Sequence, residues 1–282
     1  MALPVGPSRS QNKGQTNNMK IITLTSDFGV QSQGVGNMEA VIYPICPDAK
    51  VVHLMHGIPD FNLLVGARTM ETVQFMPVGY HVCVVDPGVG TNRRAIIIQT
   101  MRGDYLIGPD NGVLLPIAKI LGIKKVVEIT NEKFMLKPVS PLFHGRHIFA
   151  PVAAHLAAGI NIPEFGKEIN PDHLTKVPYD EAIVTGNKVK ATIIHINKYG
   201  SLHLNLTHKE FDTLVLVHNQ KVTLNLKSKK ITLPFVNTFG DVLEGKEVLL
   251  KDDYGRIEVA INCGNFAKKY KLKVGDKITL VK

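Results

Sequence analysis

Nowhere does the sequence run to the roughly 20 uninterrupted apolar residues that a bilayer-spanning helix needs, and its first twenty residues have no apolar centre of the kind a secretory signal carries. These absences point to a cytoplasmic protein with no membrane partner. Cysteine is scarce: Cys46, Cys83 and Cys263 are odd in number, far apart and in no Cys-x-x-Cys pair, which argues against a disulfide framework or a zinc knuckle. All three are expected to be small buried hydrophobes. Tryptophan is missing altogether and aromatic residues make up only 6% of the chain, so no aromatic-rich stacking motif accompanies the basic residues.

What is present is a 44% hydrophobic complement spread over 282 residues, enough to bury a sizeable core in one large domain or two ordinary ones. The formal charge is +9, and the stretch 221–282 alone has 13 Lys or Arg against 7 Asp or Glu. A clustered basic face is the footprint of phosphate binding. These lysines instead mostly alternate with apolar residues, as in Lys268-Lys269-Tyr270-Lys271, and are expected to form solvated faces, not a nucleic-acid surface.

Residues 1–18 are rich in Gly, Ser, Gln, Asn and Pro without hydrophobic period and read as a disordered leader. From 19 to 170, short β-branched runs at 21–25, 50–55, 80–85, 95–99 and 125–129 alternate with helix-like spacing at 61–75, 111–121 and 149–158. This pattern predicts an α/β domain with a largely parallel sheet. Residues 171–187, with Pro171, Asp172 and Pro178-Tyr179-Asp180, read as a linker. Beyond it, 188–282 carries short alternating runs at 188–196, 201–206, 213–217, 222–226, 247–251, 256–261 and 277–281, which predict a smaller all-β barrel or sandwich.

Two acids end expected strands and open glycine-containing loops: Asp27 in Thr25-Ser26-Asp27-Phe28-Gly29, and Asp86 in Asp86-Pro87-Gly88-Val89-Gly90-Thr91. In one parallel sheet both would emerge at the carboxyl edge, where open α/β sheets bind ligands; singly, each can equally be a turn cap. Arg93 and Arg94 follow the second loop, and an arginine beside a carboxylate forms a two-pronged pair that orients the acid. A third cluster, Phe143-His144-Gly145-Arg146-His147, precedes an apolar helix and offers imidazole, the side chain best suited to proton exchange near neutrality. His144, His147 and His155 lack a metalloprotease-type spacing and an intervening carboxylate, so no metal is expected. In Gly108-Pro109-Asp110-Asn111-Gly112, Asp110 or Asn111 is either a helix N-cap or a ligand contact. His56 is either a core histidine or a pocket wall.

Taken jointly, the segments 86–94, 108–112 and 143–154 resemble those of the S-adenosyl-L-methionine (SAM) hydroxide adenosyltransferases, relatives of fluorinating and chlorinating enzymes that attack the same substrate with halide. The resemblance runs from Ile21 to about Val281. It implies hydrolysis of SAM to adenosine and L-methionine, an α/β domain followed by a β-barrel, no cofactor, and active sites formed between the subunits of a homotrimer. It implies an Asp86-Arg93-His144 triad, with Arg93 chosen over Arg94 because the family spaces the arginine seven residues after the aspartate. Substrate would be bound by Asp27, Phe28 and Asn111 on one side, with Asp27 on the ribose hydroxyls. Asn197, Tyr199, Ser201, Asp253 and Tyr254 would bind it on the barrel side. The chain departs from the pattern at Asn197 and Ser201, where the family's Asp-x-Phe-Gly-Asn motif has Asp and Asn, so one negative charge toward the substrate ammonium is missing; Asp253, in place of a Ser, is a candidate to restore it. His147 stands where an Asp is usual. Alternatives are a halide-using transferase, against which the retained triad speaks, and a nucleoside-binding protein that has lost catalysis.

Overall fold

The computed structural model describes residues 19–176, 179–227 and 229–282; the expected leader lies outside them. In chain order the first half comprises β1 (Ile21–Ser26), α1 (Gln33–Ala40), β2 (Lys50–Met55), α2 (Leu63–Glu71), β3 (Tyr80–Val84), β4 (Ala95–Thr100), β5 (Tyr105–Pro109), α3 (Leu115–Leu121), β6 (Ile123–Glu128) and α4 (Ala150–Ala157). Its six strands form one sheet in the order β2-β1-β3-β5-β4-β6. The pairings β2-β1, β1-β3 and β3-β5 are parallel, whereas β4 lies antiparallel to both β5 and β6.

Strands β1, β3, β4 and β5 read as near-continuous apolar runs because both faces of the sheet are covered there, whereas edge strand β2 is partly exposed. Ile22, Leu24, Val82, Val84 and Ile107 pack with Met38 of α1 and Val152 of α4 on one face. Cys83, Ile96, Ile98 and Leu106 pack with Val65 and Met70 of α2 and Ile117 of α3 on the other. Alternation within each strand therefore divides a doubly buried sheet into two cores, not a core and a wet face.

The second half contains β7 (Ile183–Thr185), β8 (Lys188–Ile196), β9 (Leu202–Thr207), α5 (His208–Asp212), β10 (Lys221–Asn225), β11 (Lys230–Pro234), β12 (Glu247–Lys251), β13 (Arg256–Ile261), α6 (Phe266–Tyr270) and β14 (Lys277–Val281). These strands form an antiparallel sheet in the order β11-β10-β14-β8-β9-β13-β12, with β7 pairing on β8. An isolated bridge between Phe235 and Leu249 brings the two ends together, so the sheet is a nearly closed barrel. Its core is built from inward residues such as Val189, Leu204, Leu224, Val259 and Phe266.

Several local expectations are corrected. The run 213–217 is not a strand: Thr207 and Glu210 form a reciprocal capping box that nucleates α5 just ahead of it. Helix α2 begins at Leu63 and not at Phe61, because Phe61 adopts φ 59 and Asn62 caps the helix through Val65 N–H. Helix α3 starts at Leu115, with Pro116 in its first turn, and neither Asp110 nor Asn111 caps it. Cys46 and Cys83 are buried as expected, but Cys263 is exposed, in a positive-φ turn after β13. Strand β7 lies within the stretch read as linker.

A buried ion network clamps α2 against the barrel. Fully buried Glu71 accepts from Arg256 through Nε at 3.0 Å and through Nη2, from Arg68 Nη1 at 3.1 Å and from Tyr179 OH at 3.3 Å. Arg68 also donates to Asp252, which is paired with His203 Nδ1 at 2.8 Å.

Candidate functional site

The parallel register of β1 on β3, which sets Ser26 opposite Val84, brings the residues that follow both strands to one sheet edge. Asp27 and Asp86 meet there as walls of a single cleft of about 260 Å³. Phe28, Phe61, Phe143 and His144 also line it. Phe28 and Phe143 pack edge to face, with centroids 5.5 Å apart. Asp27 Oδ2 accepts the Phe61 N–H at 2.8 Å, leaving its other carboxylate lone pairs for a ligand.

Arg93 reaches back seven residues along its own loop. Its Nε donates to both oxygens of Asp86 at 3.0 Å, and its Nη2 donates to Oδ2 as well. The same Nη2 lies 2.8 Å from His144 Nδ1. Loop glycines permit this: a Cβ on Gly88 would sit 3.2 Å from Arg93 Cγ, and one on Gly90, at φ +76, would be 2.6 Å from the Pro141 carbonyl. The Arg93 guanidinium is backed by the Phe149 ring, 5.2 Å from its centroid. Arg94 points elsewhere and pairs with Asp110.

His144 precedes a π-helical turn, Gly145–Phe149, that leads into α4. Burial, reinforced by the Arg93 charge, holds its pKa below the ordinary histidine value, with only Asp86 opposing. A neutral imidazole facing the permanently charged Arg93 must accept at Nδ1, so its proton resides on Nε2. His147, close to this imidazole, adds the smallest contribution to the lowering of the His144 pKa, and its own Nδ1 is 2.9 Å from the Phe143 carbonyl. His155 packs on Phe134, and among the described residues no cluster of three His, Cys, Asp or Glu is placed to hold a metal.

His56 is a buried histidine behind the cleft, not among its lining residues. Burial and nearby His53 push its pKa down to about 4. Asn111 is likewise absent from the lining; its Nδ2 donates to Val85 O at 2.8 Å and its Oδ1 accepts from Val113 N–H, so it braces the strand end that carries Asp86.

The barrel-side residues gather in another, larger cleft of about 1250 Å³, where α2 meets the barrel. Asn197, Tyr199, Ser201, Asp253 and Tyr254 all line it, together with Arg68, His195, His203 and Glu258, which the sequence reading did not single out. Asn197 Oδ1 accepts the N–H groups of Tyr199 and Ser201, so this side chain shapes its turn. Within one chain the two clefts share no lining residue. The missed residues belong to strands or a helix and carry no local motif; only the fold brings them to a surface.

Comparison with known proteins matches this two-part layout. The model of the SAM hydroxide adenosyltransferase N-terminal domain matches residues 22–166, and that of the C-terminal domain matches residues 191–279. An (R)-S-adenosyl-L-methionine hydrolase from Salinispora tropica is 32% identical over 91% of this chain and 96% of its own length. A fluorinase from Actinoplanes is 25% identical over 94% of this chain and 99% of its own. The crystal structure of an uncharacterized conserved protein from Thermotoga maritima superposes with a TM-score of 0.87 at 30% identity, covering 93% of this chain and all of that one. With both domain models accounting for most of its length, the chain belongs to the SAM hydroxide adenosyltransferase family.

Proposed function

We propose that the protein hydrolyses SAM by attack of water on the ribose 5′ carbon, giving adenosine, L-methionine and one proton. The observation that carries this reading is the Asp86-Arg93-His144 array at the rim of a cleft walled by Asp27 and three phenylalanines. A sulfonium leaves as a neutral thioether and needs no general acid, so the task is to hold one water in line behind the 5′ carbon. His144 does this as a donor from Nε2–H, which leaves an oxygen lone pair of the water free to attack. Once the C–O bond forms and the C–S bond breaks, the water's proton passes to Asp86, the acceptor-only member of the array. Asp27 takes the ribose hydroxyl protons, and Phe28 and Phe143 flank the nucleoside.

The larger cleft then receives the methionine end, among Asn197, Tyr199, Ser201 and Tyr254. Because one chain keeps the two clefts apart, a complete site calls for a second copy, and a homotrimer with sites between subunits accommodates this. Val52 on edge strand β2, Phe61 and Leu142 are large exposed apolar residues, the last two on the nucleoside cleft itself, and suit burial by a partner. The division into a nucleoside-binding domain over 19–170 and a barrel over 188–282, joined through 171–187, belongs to the same reading, as does action in the cytoplasm.

Product analysis tests the proposal. Pure protein without added metal is expected to release adenosine and methionine in equal amounts, and addition of chloride or fluoride is expected to yield no 5′-halo nucleoside. Formation of the halo nucleoside would replace this reading with the halide-using one.

The array also sets a pH dependence. The neutral imidazole is the working form, and its pKa is depressed, so activity is retained as pH falls past about 6.5, the ordinary histidine value, and is lost only below it. Protonation places an N–H on Nδ1 against Arg93 and breaks the contact. A pH profile of kcat with its acid limb above 6.5 would contradict this assignment.

A further inference from the structure

The larger cleft contains a carboxylate left over from the charge pairing around it. Asp252 is matched by Arg68 and His203, and Glu71 by Arg68 and Arg256. Glu258, on β13, is only 7% exposed yet lines the cleft, and it enters no ion pair among the described residues. It stands directly across from His203 of β9, whose Nδ1 is already engaged by Asp252. The Ser201 hydroxyl is its polar neighbour. The one nearby lysine that lines the cleft, Lys198, lies over the Tyr199 ring 4.9 Å from its centroid. Burial raises the Glu258 carboxyl above the usual range, with Asp252 adding to the rise, while His203, Ser201 and Arg68 pull it the other way without pairing with it.

A buried, unmatched carboxylate facing a cavity becomes favourable when a ligand brings the missing positive charge. Asp253 is the other acid within reach, but it is exposed, where a pair with a ligand cation is screened and weak. We infer that Glu258, not Asp253, supplies the negative charge that receives the α-ammonium of the substrate's methionine end. This assignment rests on the proposed SAM reading. It places on β13 the charge that neutral Asn197 does not provide.

The test compares two ligands, SAM and its analogue lacking the α-amino group, by calorimetry on the full-length protein bearing His144→Ala to suppress turnover. Adding the isosteric Glu258→Gln is expected to weaken SAM by about 30-fold or more while leaving the deamino analogue within roughly 2-fold, as for loss of one partner of a buried charge pair. Asp253→Asn is expected to leave both ligands within the same roughly 2-fold limits. Equal weakening of both ligands by Glu258→Gln would reveal a merely structural role and overturn the assignment, as would no change with either, or an ammonium-dependent loss in Asp253→Asn. Melting curves of each variant separate misfolding from lost contact. If the parent protein neither binds nor cleaves SAM, the functional reading itself falls; if it does both and only the ligand difference is absent, the Glu258 assignment alone falls.

Discussion

Asp86→Ala is expected to lower kcat by roughly 10²–10⁴-fold while changing adenosine affinity little. The carboxylate holds Arg93 by three hydrogen bonds, and Arg93 in turn holds His144 at Nδ1. Removing it frees the guanidinium, loses the tautomer that presents Nε2–H, and takes away the acceptor for the water's proton. The proposed nucleoside contacts, through Asp27 and the phenylalanine walls of the cleft, remain. His144→Ala is expected to give a similar loss, and the double variant is expected to be little worse than either single one, because residues acting as a unit are not additive. Rapid-quench turnover together with calorimetry of adenosine measures both quantities. A loss of adenosine affinity as large as the loss of kcat would make Asp86 a binding residue instead.

Glu71→Ala is the substitution with the largest expected cost in stability. It leaves Arg256 buried without its main partner and removes one of two acids from Arg68, in a position with no access to solvent. Breaking a buried pair in this way costs about 3–5 kcal/mol, which lowers Tm by on the order of 10 °C in a chain of this size. The network ties α2 to the barrel, so the loss should also loosen the larger cleft, which Arg68 lines. Differential scanning calorimetry reads the effect. A shift under about 2 °C would mean that water reaches the network and that other contacts hold the two halves together.

The parts of the site that were readable in the sequence are those written in short loops. A strand followed by Asp and glycines makes a loop end at a sheet edge, and this places Asp27 and Asp86 before any coordinates are known; Arg93 lies close enough along the chain to return to Asp86. His144 was readable as a motif, but its distance to Arg93 depends on how α4 packs under the sheet. Glu258 and His203 carry no local signal, since a Glu or His in an alternating strand usually faces water, and only the pairing of β13 with β9 turns them toward a cavity. Run 213–217 has strand-like composition, yet the four-residue capping box from Thr207 to Glu210 just ahead of it turns the chain into α5. For β4, apolar content announced a strand but could not tell parallel from antiparallel, because the sheet is covered on both faces.

In the proposed reaction, water held by Asp86, Arg93 and His144 attacks the 5′ carbon of SAM. The decisive experiment is turnover in ¹⁸O-labelled water, with the position of the label read by mass spectrometry of both products. One ¹⁸O is expected in the 5′-hydroxyl of adenosine and none in methionine. Unlabelled adenosine, label in the methionine half, or no adenosine from micromolar protein over hours would contradict it.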